Sequence, residues 1–292
     1  MTLETHIIKA VNSELFVKIH NSGHEEAIIL LHGGPGIPDY LDEVAAFLSR
    51  NFKVISFDQR GCGKSIAYDQ SFSLKEYIYD ITEIADFFKL ERFHLFGHSW
   101  GGMLAQLYAV EQPGKLISLF LCNPSPGAGK QWKLMEKKVL DFYWPSMNTI
   151  DSIQMGINYL LTQLGGKLED IAIKRIYKQV WRTYIKNIYS TYKAEEEWLN
   201  NVNKKVLTDT RREIMKMDRS FLNKAGSYSN LPVFFLYGSH DIYKESTYIN
   251  KIRWPNAQYI ELEDCGHLPW IQDRNNFRSV LSQFYNLGLT II

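Results

Sequence analysis

Residues 93–102 read Phe-His-Leu-Phe-Gly-His-Ser-Trp-Gly-Gly, and this stretch decides the fold. An apolar run at 93–96 predicts a strand, and the sequence from 103 onwards predicts a helix. Between them lies Gly-x-Ser-x-Gly, a pattern that holds the serine on a sharp, strained turn with its hydroxyl exposed. The flanking glycines are needed because a side chain there would collide with the neighbouring strand or helix. Ser99 is therefore a candidate nucleophile.

Short apolar runs alternate with helical patterns on both sides of this turn. The predicted strands are 6–11, 14–19, 27–31, 54–57, 93–96, 117–122, 233–237 and 258–262, the first two forming a hairpin. The predicted helices are 41–49, 74–88, 103–111, 245–253 and 274–285. Strands that are apolar on both faces and alternate with helices favour a mainly parallel sheet with helices on both faces, an α/β fold.

One long segment interrupts the alternation. Residues 123–129, Asn-Pro-Ser-Pro-Gly-Ala-Gly, are rich in residues that break regular structure. From 130 to 230 the pattern is helical and contains no strand candidate, and strand–helix alternation resumes at 233. The sequence therefore predicts one α/β core domain, formed by 1–129 and 231–292, with an inserted helical cap at 130–230.

A base and an acid follow two of the later predicted strands. A serine hydroxyl is a poor nucleophile at neutral pH and needs a histidine base that a carboxylate orients. Asp241 follows strand 233–237, and His267 follows strand 258–262, which gives the chain order serine, acid, histidine. The carboxyl ends of parallel strands meet at one edge, so Ser99, Asp241 and His267 are the expected triad. Asp264 is a rival acid, but it lies on the histidine's own loop.

A glycine-rich loop follows the strand at 27–31. It reads His-Gly-Gly-Pro-Gly at 32–36. Acyl transfer places negative charge on a carbonyl oxygen, which fixed backbone N–H groups stabilise. One such donor is expected at Trp100, directly after the serine, and the other at Gly34 or its neighbour Gly33.

The stretch after strand 54–57 reads Asp-Gln-Arg-Gly-Cys-Gly-Lys-Ser at 58–65. Its ending is like that of a phosphate-binding loop, but the first glycine of that motif is missing at the required spacing. A rigid turn is expected here, with Asp58 and Arg60 paired to each other.

Composition and charge exclude several classes of partner. With 45% hydrophobic and 22% charged residues, the composition is that of an ordinary globular protein. A formal net charge of +1 without a basic run argues against nucleic acid or an anionic membrane as a partner. Three widely spaced cysteines without a CxxC pair favour free thiols. We find no signal-peptide pattern and no apolar run near the roughly 18 residues that span a bilayer, so a cytoplasmic location is expected.

The motifs at 32–36, 58–65 and 97–101 together resemble the α/β-hydrolase superfamily, and specifically the proline iminopeptidase family. The resemblance implies an α/β-hydrolase fold with a helical cap, and hydrolysis through an acyl-enzyme without a metal or cofactor. Aminopeptidases of this family bind the free amino group of the substrate through acidic residues of the cap. For this chain, that implies Glu195, Glu196 and Glu213 as candidate substrate-binding residues.

The expected function is therefore a serine hydrolase that releases an N-terminal residue from small peptides or amides. Two other enzymes remain open: a carboxylic-ester or lactone hydrolase with the same triad, and an acyltransferase whose site excludes water. A ligand-binding receptor on a hydrolase scaffold is the alternative outside the enzymes. In each case the expected partner is a small molecule or a short peptide.

Overall fold

A computed structural model describes residues 2–143, 147–184, 201–218, 220–227, 230–244 and 247–287. The strands are β1 (Leu3–Ala10), β2 (Ser13–His20), β3 (Ala27–Leu31), β4 (Lys53–Phe57), β5 (Ile66–Ala67), β6 (Phe93–His98), β7 (Leu116–Cys122), β8 (Val233–Gly238) and β9 (Gln258–Leu262). The α-helices are α1 (Asp42–Leu48), α2 (Leu74–Phe87), α3 (Trp100–Glu111), α4 (Lys130–Tyr143), α5 (Thr149–Leu161), α6 (Gly166–Tyr184), α7 (Lys204–Lys216), α8 (Ser220–Asn223), α9 (Thr247–Arg253), α10 (Pro269–Gln272) and α11 (Arg274–Phe284).

The strands form one mainly parallel sheet. Their spatial order is β1-β2-β4-β3-β6-β7-β8-β9, and the short β5 pairs with β2. The β1–β2 hairpin and the β2–β4 pair are antiparallel, whereas every pair from β4 through β3 to β9 is parallel. The α/β fold predicted from the sequence is confirmed, and β5 is a strand that the sequence did not predict.

The sheet is covered on both faces because its central strands are apolar on both faces. Every residue of β3 is buried. Successive side chains of a strand point to opposite faces, so Ile29 and Leu31 belong to one core cluster while Ile28 and Leu30 belong to the other. Helices α2 and α3 pack in the first cluster, and α1 and α11 pack in the second.

A helical insertion separates two strands that are neighbours in the sheet. β7 pairs directly with β8, yet the chain between them forms α4 to α8. We call the described residues of this segment, 130–143, 147–184, 201–218 and 220–227, the cap. No strand occurs among them.

Asn203 attaches the cap to two glycine-containing loops of the core. Its N–H donates to the Gly36 carbonyl at 2.7 Å, and its side-chain amide donates to the Gly61 carbonyl at 2.9 Å. A second contact joins the cap to the core: the hydroxyl of Thr210, on α7, lies 2.8 Å from the hydroxyl of Tyr77, on α2. Gly36 has φ +94, and a Cβ there would lie 2.6 Å from the Asn203 carbonyl oxygen. A glycine at position 36 therefore allows the cap to approach this closely.

The turn after β4 has different ionic contacts from those predicted. Arg60 donates to both carboxylate oxygens of Asp80, at 2.8 and 2.7 Å. The Asp58 carboxylate instead accepts hydrogen bonds from the backbone N–H groups of Asp39 and Lys64, both at 2.8 Å. The predicted Asp58–Arg60 pair is therefore wrong, because the aspartate folds back into its own turn while the arginine reaches α2.

Cys62, Cys122 and Cys265 are buried and free of disulfides. None of the helices in the described part of the chain is long and apolar enough to cross a membrane.

Candidate active site

Ser99 lies on the turn between β6 and α3. Its backbone has φ +55 and ψ −121, a conformation that non-glycine residues rarely adopt. A Cβ on Gly97 would lie 2.4 Å from the Gly101 carbonyl oxygen, and one on Gly101 would lie 2.2 Å from that of Leu31. Only glycine at these two positions lets the helix start so close to the strands, and this close approach holds the serine in its strained conformation.

Asp241 and His267 meet at the carboxyl end of the sheet. Asp241 follows β8, and its Oδ2 lies 2.5 Å from Nδ1 of His267, which follows β9. Both side chains are almost completely buried. The other carboxylate oxygen accepts the N–H of Tyr243 at 2.6 Å. Because a carboxylate accepts hydrogen bonds, Nδ1 of a neutral His267 carries the hydrogen and Nε2 is left as the basic nitrogen.

The rival acid, Asp264, is placed differently. Its carboxylate is 96% exposed and lies 3.5 Å from the imidazole of His240. Asp241 is therefore the carboxylate that orients His267 in this structure.

The two glycines proposed to stabilise an oxyanion differ in their hydrogen bonds. The N–H of Gly33 donates to the Tyr40 hydroxyl at 2.9 Å. Among the described residues, no acceptor is found for the N–H of Gly34 or for that of Trp100. Gly34 and Trp100 both line the same cavity as Ser99, so their N–H groups are the available donors.

Gln59 connects the glycine loop to the serine turn. Its side-chain oxygen accepts the indole N–H of Trp100 at 2.8 Å, and its amide nitrogen donates to the His32 carbonyl at 2.7 Å. Its backbone N–H donates to Nε2 of His32 at 3.1 Å. Burial lowers the pKa of His32, so its ring is neutral and can accept this hydrogen bond. The sequence predicted only a rigid turn around Gln59 and gave no sign of this link.

A cavity of about 790 Å³ lies between the core and the cap. The core contributes Gly34, Pro35, Ile37, Tyr40, Ser99, Trp100, Ser125, Tyr243 and His267. The cap contributes Trp132, Met135, Glu136, Val139, Met155, Gly156, Tyr159, Ile176, Tyr177, Leu207 and Arg211. Most of the cap side is therefore apolar or aromatic.

Two charged cap residues in this cavity are paired with each other. Arg211 donates to both carboxylate oxygens of Glu136, with Nη2 2.7 Å from Oε2. The indole N–H of Trp132 donates to the same carboxylate at 2.9 Å. This contact with Glu136 raises the pKa of Arg211. The sequence did not identify either residue, because they lie 75 positions apart and only the packing of the cap helices brings them together.

Of the three acidic residues expected to bind substrate, only Glu213 lies among the described residues. Glu195 and Glu196 lie outside the described residues. Glu213 is described, but its carboxylate accepts a hydrogen bond from Lys216 at 3.2 Å, and it does not line the cavity. Within the described part of the chain, no group of three or more His, Cys, Asp or Glu side chains is arranged to hold a metal ion.

Comparison with known proteins identifies the family. A family model described as alpha/beta hydrolase fold matches residues 26–273. The chain is 23% identical to the proline iminopeptidase of Clostridioides difficile (strain 630) over 283 residues, which cover 91% of this chain and 92% of that protein.

Solved structures share the same fold. The proline iminopeptidase of Mycobacterium smegmatis matches with a TM-score of 0.66 at 20% identity, covering 97% of this chain and 98% of that one. A carboxylesterase structure from the thaumarchaeon Nitrososphaera gargenis matches with a TM-score of 0.70 at 15% identity, again covering 97% and 98%. The family model covers most of the chain, and the protein therefore belongs to the alpha/beta hydrolase fold family.

Proposed function

We propose that the protein is a serine hydrolase that acts through an acyl-enzyme. Ser99 attacks the substrate carbonyl, and Nε2 of His267 takes the hydroxyl proton and later returns it to the leaving group. Asp241 holds the imidazole in the tautomer that carries its hydrogen on Nδ1, so that Nε2 accepts that proton. The observation that carries the proposal is the buried Asp241–His267 contact of 2.5 Å beside a cavity that Ser99 and His267 both line.

In the same proposal, the N–H groups of Gly34 and Trp100 stabilise the oxyanion. Gly33 has a different task, because its N–H is already bound to Tyr40. A Cβ on Gly33 would lie 2.7 Å from the Cβ of Ser99. Its lack of a side chain therefore keeps the glycine loop close to the nucleophile.

The first candidate substrate is a small peptide or amide from which an N-terminal residue is released. The relatives named proline iminopeptidase support this assignment. A free ammonium group in a closed site needs a carboxylate partner, and Glu136 supplies one within the cavity. Glu195 and Glu196 remain proposed ligands for the same group, while the contacts of Glu213 remove it from the proposal.

A carboxylic ester is the second candidate substrate. It is favoured by the apolar cap side of the cavity and by the pairing of Glu136 with Arg211. Because that pairing balances the carboxylate charge, a neutral acyl group can enter the cavity without separating charges.

Turnover of two kinds of probe tests these proposals. Proline, alanine and leucine p-nitroanilides are compared with p-nitrophenyl esters of increasing chain length. We expect Ser99→Ala to lower kcat by about 10⁴-fold or more, and Asp241→Asn by about 10⁴-fold, with both proteins still folded. Hydrolysis of anilides supports the aminopeptidase, and hydrolysis of esters alone supports the second candidate.

Ser56→Ala is the matched control for the nucleophile. Ser56 is buried in β4, and its hydroxyl has no hydrogen-bond partner among the described residues. This variant should hydrolyse the probes at the wild-type rate. Wild-type turnover in Ser99→Ala would overturn the serine mechanism.

A further inference from the structure

His98, the residue before the nucleophile, contacts the backbone of His267. It is completely buried at the end of β6. Its Nε2 lies 2.9 Å from the carbonyl oxygen of His267. A carbonyl oxygen only accepts hydrogen bonds, so Nε2 of His98 carries the hydrogen and donates it. The residue before the nucleophile thereby holds the main chain of the residue proposed as the base.

Tyr40 fixes the tautomer of His98 that can make this contact. The Tyr40 hydroxyl lies 2.7 Å from Nδ1 of His98 and accepts the N–H of Gly33 at 2.9 Å. With Nε2 protonated, Nδ1 of a neutral ring accepts, so the hydroxyl hydrogen of Tyr40 points to His98. A directed chain of hydrogen bonds therefore runs from Gly33 through Tyr40 and His98 to the carbonyl of His267.

This chain requires a neutral His98. Burial lowers the pKa of His98 well below its usual value, and the neighbouring His267 lowers it further. The two ring centroids are only 4.6 Å apart. When His267 takes a proton during the reaction, a neutral His98 places no second positive charge beside it.

Asn123 makes a second contact with the same carbonyl. Its side-chain amide donates to the carbonyl oxygens of Gly266 and His267, both at 3.0 Å. Its side-chain oxygen accepts the N–H of Gly238, at the end of β8, at 2.9 Å. Asn123 thus connects the loop that carries His267 to β8, the strand that precedes Asp241. The hydrogen bond from His98 connects the same loop to the turn that carries Ser99.

We propose that His98 is a positioning residue for His267, and that Tyr40 acts through His98 by keeping it in the tautomer that donates from Nε2. The proposal rests on the proposed role of His267 as the base. It assigns a function to the position between Gly97 and Ser99, which the Gly-x-Ser-x-Gly pattern leaves unspecified.

Tyr40→Phe tests the chain while keeping the aromatic ring. We expect kcat for p-nitrophenyl butyrate to fall by about 10- to 100-fold, because small misplacements of a catalytic group have effects of this size. KM should stay within about twofold of the wild type. The rate of inactivation by a fluorophosphonate should fall with kcat, since both depend on the same serine and base. If the variant only has fewer active sites that react with the fluorophosphonate, and kcat per reactive site is unchanged, the role of Tyr40 is purely structural. That result would overturn the proposal.

Tyr285→Phe is the matched control for loss of a buried hydroxyl. The hydroxyl of Tyr285 is buried and has no hydrogen-bond partner among the described residues. This variant should retain the wild-type kcat. An equal loss in both variants would overturn the proposed specificity of Tyr40.

Two substitutions at His98 separate hydrogen bonding from packing. Gln keeps an N–H donor at a similar reach, whereas Leu fills a similar volume without one. We expect kcat to decrease from wild type to His98→Gln to His98→Leu. If Leu retains as much activity as Gln, packing alone explains the residue and the proposal fails.

A double-mutant cycle tests whether Tyr40 acts through His98. Effects that share one path are not additive, so adding Tyr40→Phe to His98→Leu should lower kcat no further. Additive losses would overturn the link.

Nitrogen-15 NMR of labelled histidine, with the His98 signal assigned by its absence in His98→Gln, should show a neutral ring protonated at Nε2 at pH 7. A ring protonated at Nδ1 would contradict the chain directly.

Comparison with Ser99→Ala shows whether the positioning role alone is wrong or the proposed serine mechanism is wrong as well. Loss of turnover in Ser99→Ala, with unchanged kcat in Tyr40→Phe and His98→Leu, overturns the positioning role alone. Full turnover in Ser99→Ala overturns both.

Discussion

The core and the cap each contain an arginine that donates two hydrogen bonds to one carboxylate. In the core, Arg60 binds Asp80, and both side chains are at most 1% exposed. In the cap, Arg211 binds Glu136 with the same forked geometry, but their side chains are 48% and 30% exposed. The two pairs therefore differ chiefly in how much water surrounds them.

That difference gives the two pairs different consequences. Removing one partner of a buried pair leaves an uncompensated charge without solvent, which is strongly destabilising. An exposed pair contributes little to stability because water replaces either partner. The pair in the cap also lines the cavity, so a substrate can compete for its charges. Burial makes the core pair structural, whereas the more exposed cap pair is the one that we propose to bind substrate.

The largest expected effect is on the core pair. Asp80→Ala should lower the free energy of unfolding by up to about 3–5 kcal/mol, because it leaves the buried Arg60 with Glu76, 3.1 Å away, as its remaining carboxylate partner. Denaturant titration measures this loss. Asp86→Ala is the control on the same helix, since Asp86 is 59% exposed and contacts Lys115 at 3.2 Å. That variant should lose less than about 1 kcal/mol, and equal losses would contradict the distinction between buried and exposed pairs.

A smaller effect on the free energy of unfolding is expected at acidic pH, and it comes from two buried histidines of the core. Burial lowers the pKa of His32 and His98, so below about pH 6.5 each binds a proton in the unfolded chain before it does in the folded one. The contribution of these two histidines to stability is therefore full above this pH and falls as the pH decreases. While a histidine is protonated in the unfolded chain and neutral in the folded protein, it should lower the free energy of unfolding by at most about 1.4 kcal/mol per pH unit.

Denaturant titrations at pH 7.5, 6 and 5 measure this slope. His98→Gln removes one of the two groups and should reduce the slope by up to about 1.4 kcal/mol per pH unit. An unchanged slope in this variant would mean that His98 does not remain neutral in the folded protein.

The sequence predicted those features that depend on local sequence. The turn at Ser99 could be predicted because its glycines, strand and helix are adjacent in the chain. The strands at both ends of the insertion could be predicted because strand–helix alternation resumes at Val233. In both places, neighbouring residues determine the structure.

Features that depend on side-chain direction or on helix packing could not be predicted in the same way. Arg60 and Asp58 are two residues apart, yet their side chains leave the turn towards different partners. The role of Gly33 depends on a hydroxyl seven residues further on. Glu136 meets Arg211 only after the cap helices pack. None of these contacts has a pattern in the sequence.

The smallest effect on stability is expected when the cap pair is disrupted. The preference of the enzyme between anilide and ester substrates should change instead. Glu136→Gln should lower the free energy of unfolding by less than about 1 kcal/mol. If Glu136 binds the substrate ammonium group, this variant should raise KM for proline p-nitroanilide by about 10- to 100-fold, which corresponds to loss of one hydrogen bond to a charged group. KM for p-nitrophenyl butyrate, which has no amino group, should stay within about twofold.

Glu213→Gln is the control that separates the two carboxylates. Glu213 lies on α7, as Arg211 does, but it contacts Lys216 and does not line the cavity. Its substitution should therefore change neither the KM for the anilide nor the KM for the ester, because Glu213 does not line the cavity. Arg211→Met should instead lower KM for the anilide, since it leaves the Glu136 carboxylate unpaired beside the incoming ammonium group. Equal changes for anilide and ester in Glu136→Gln would mean that the cap pair shapes the cavity without recognising charge, and the ester would then be the better candidate substrate.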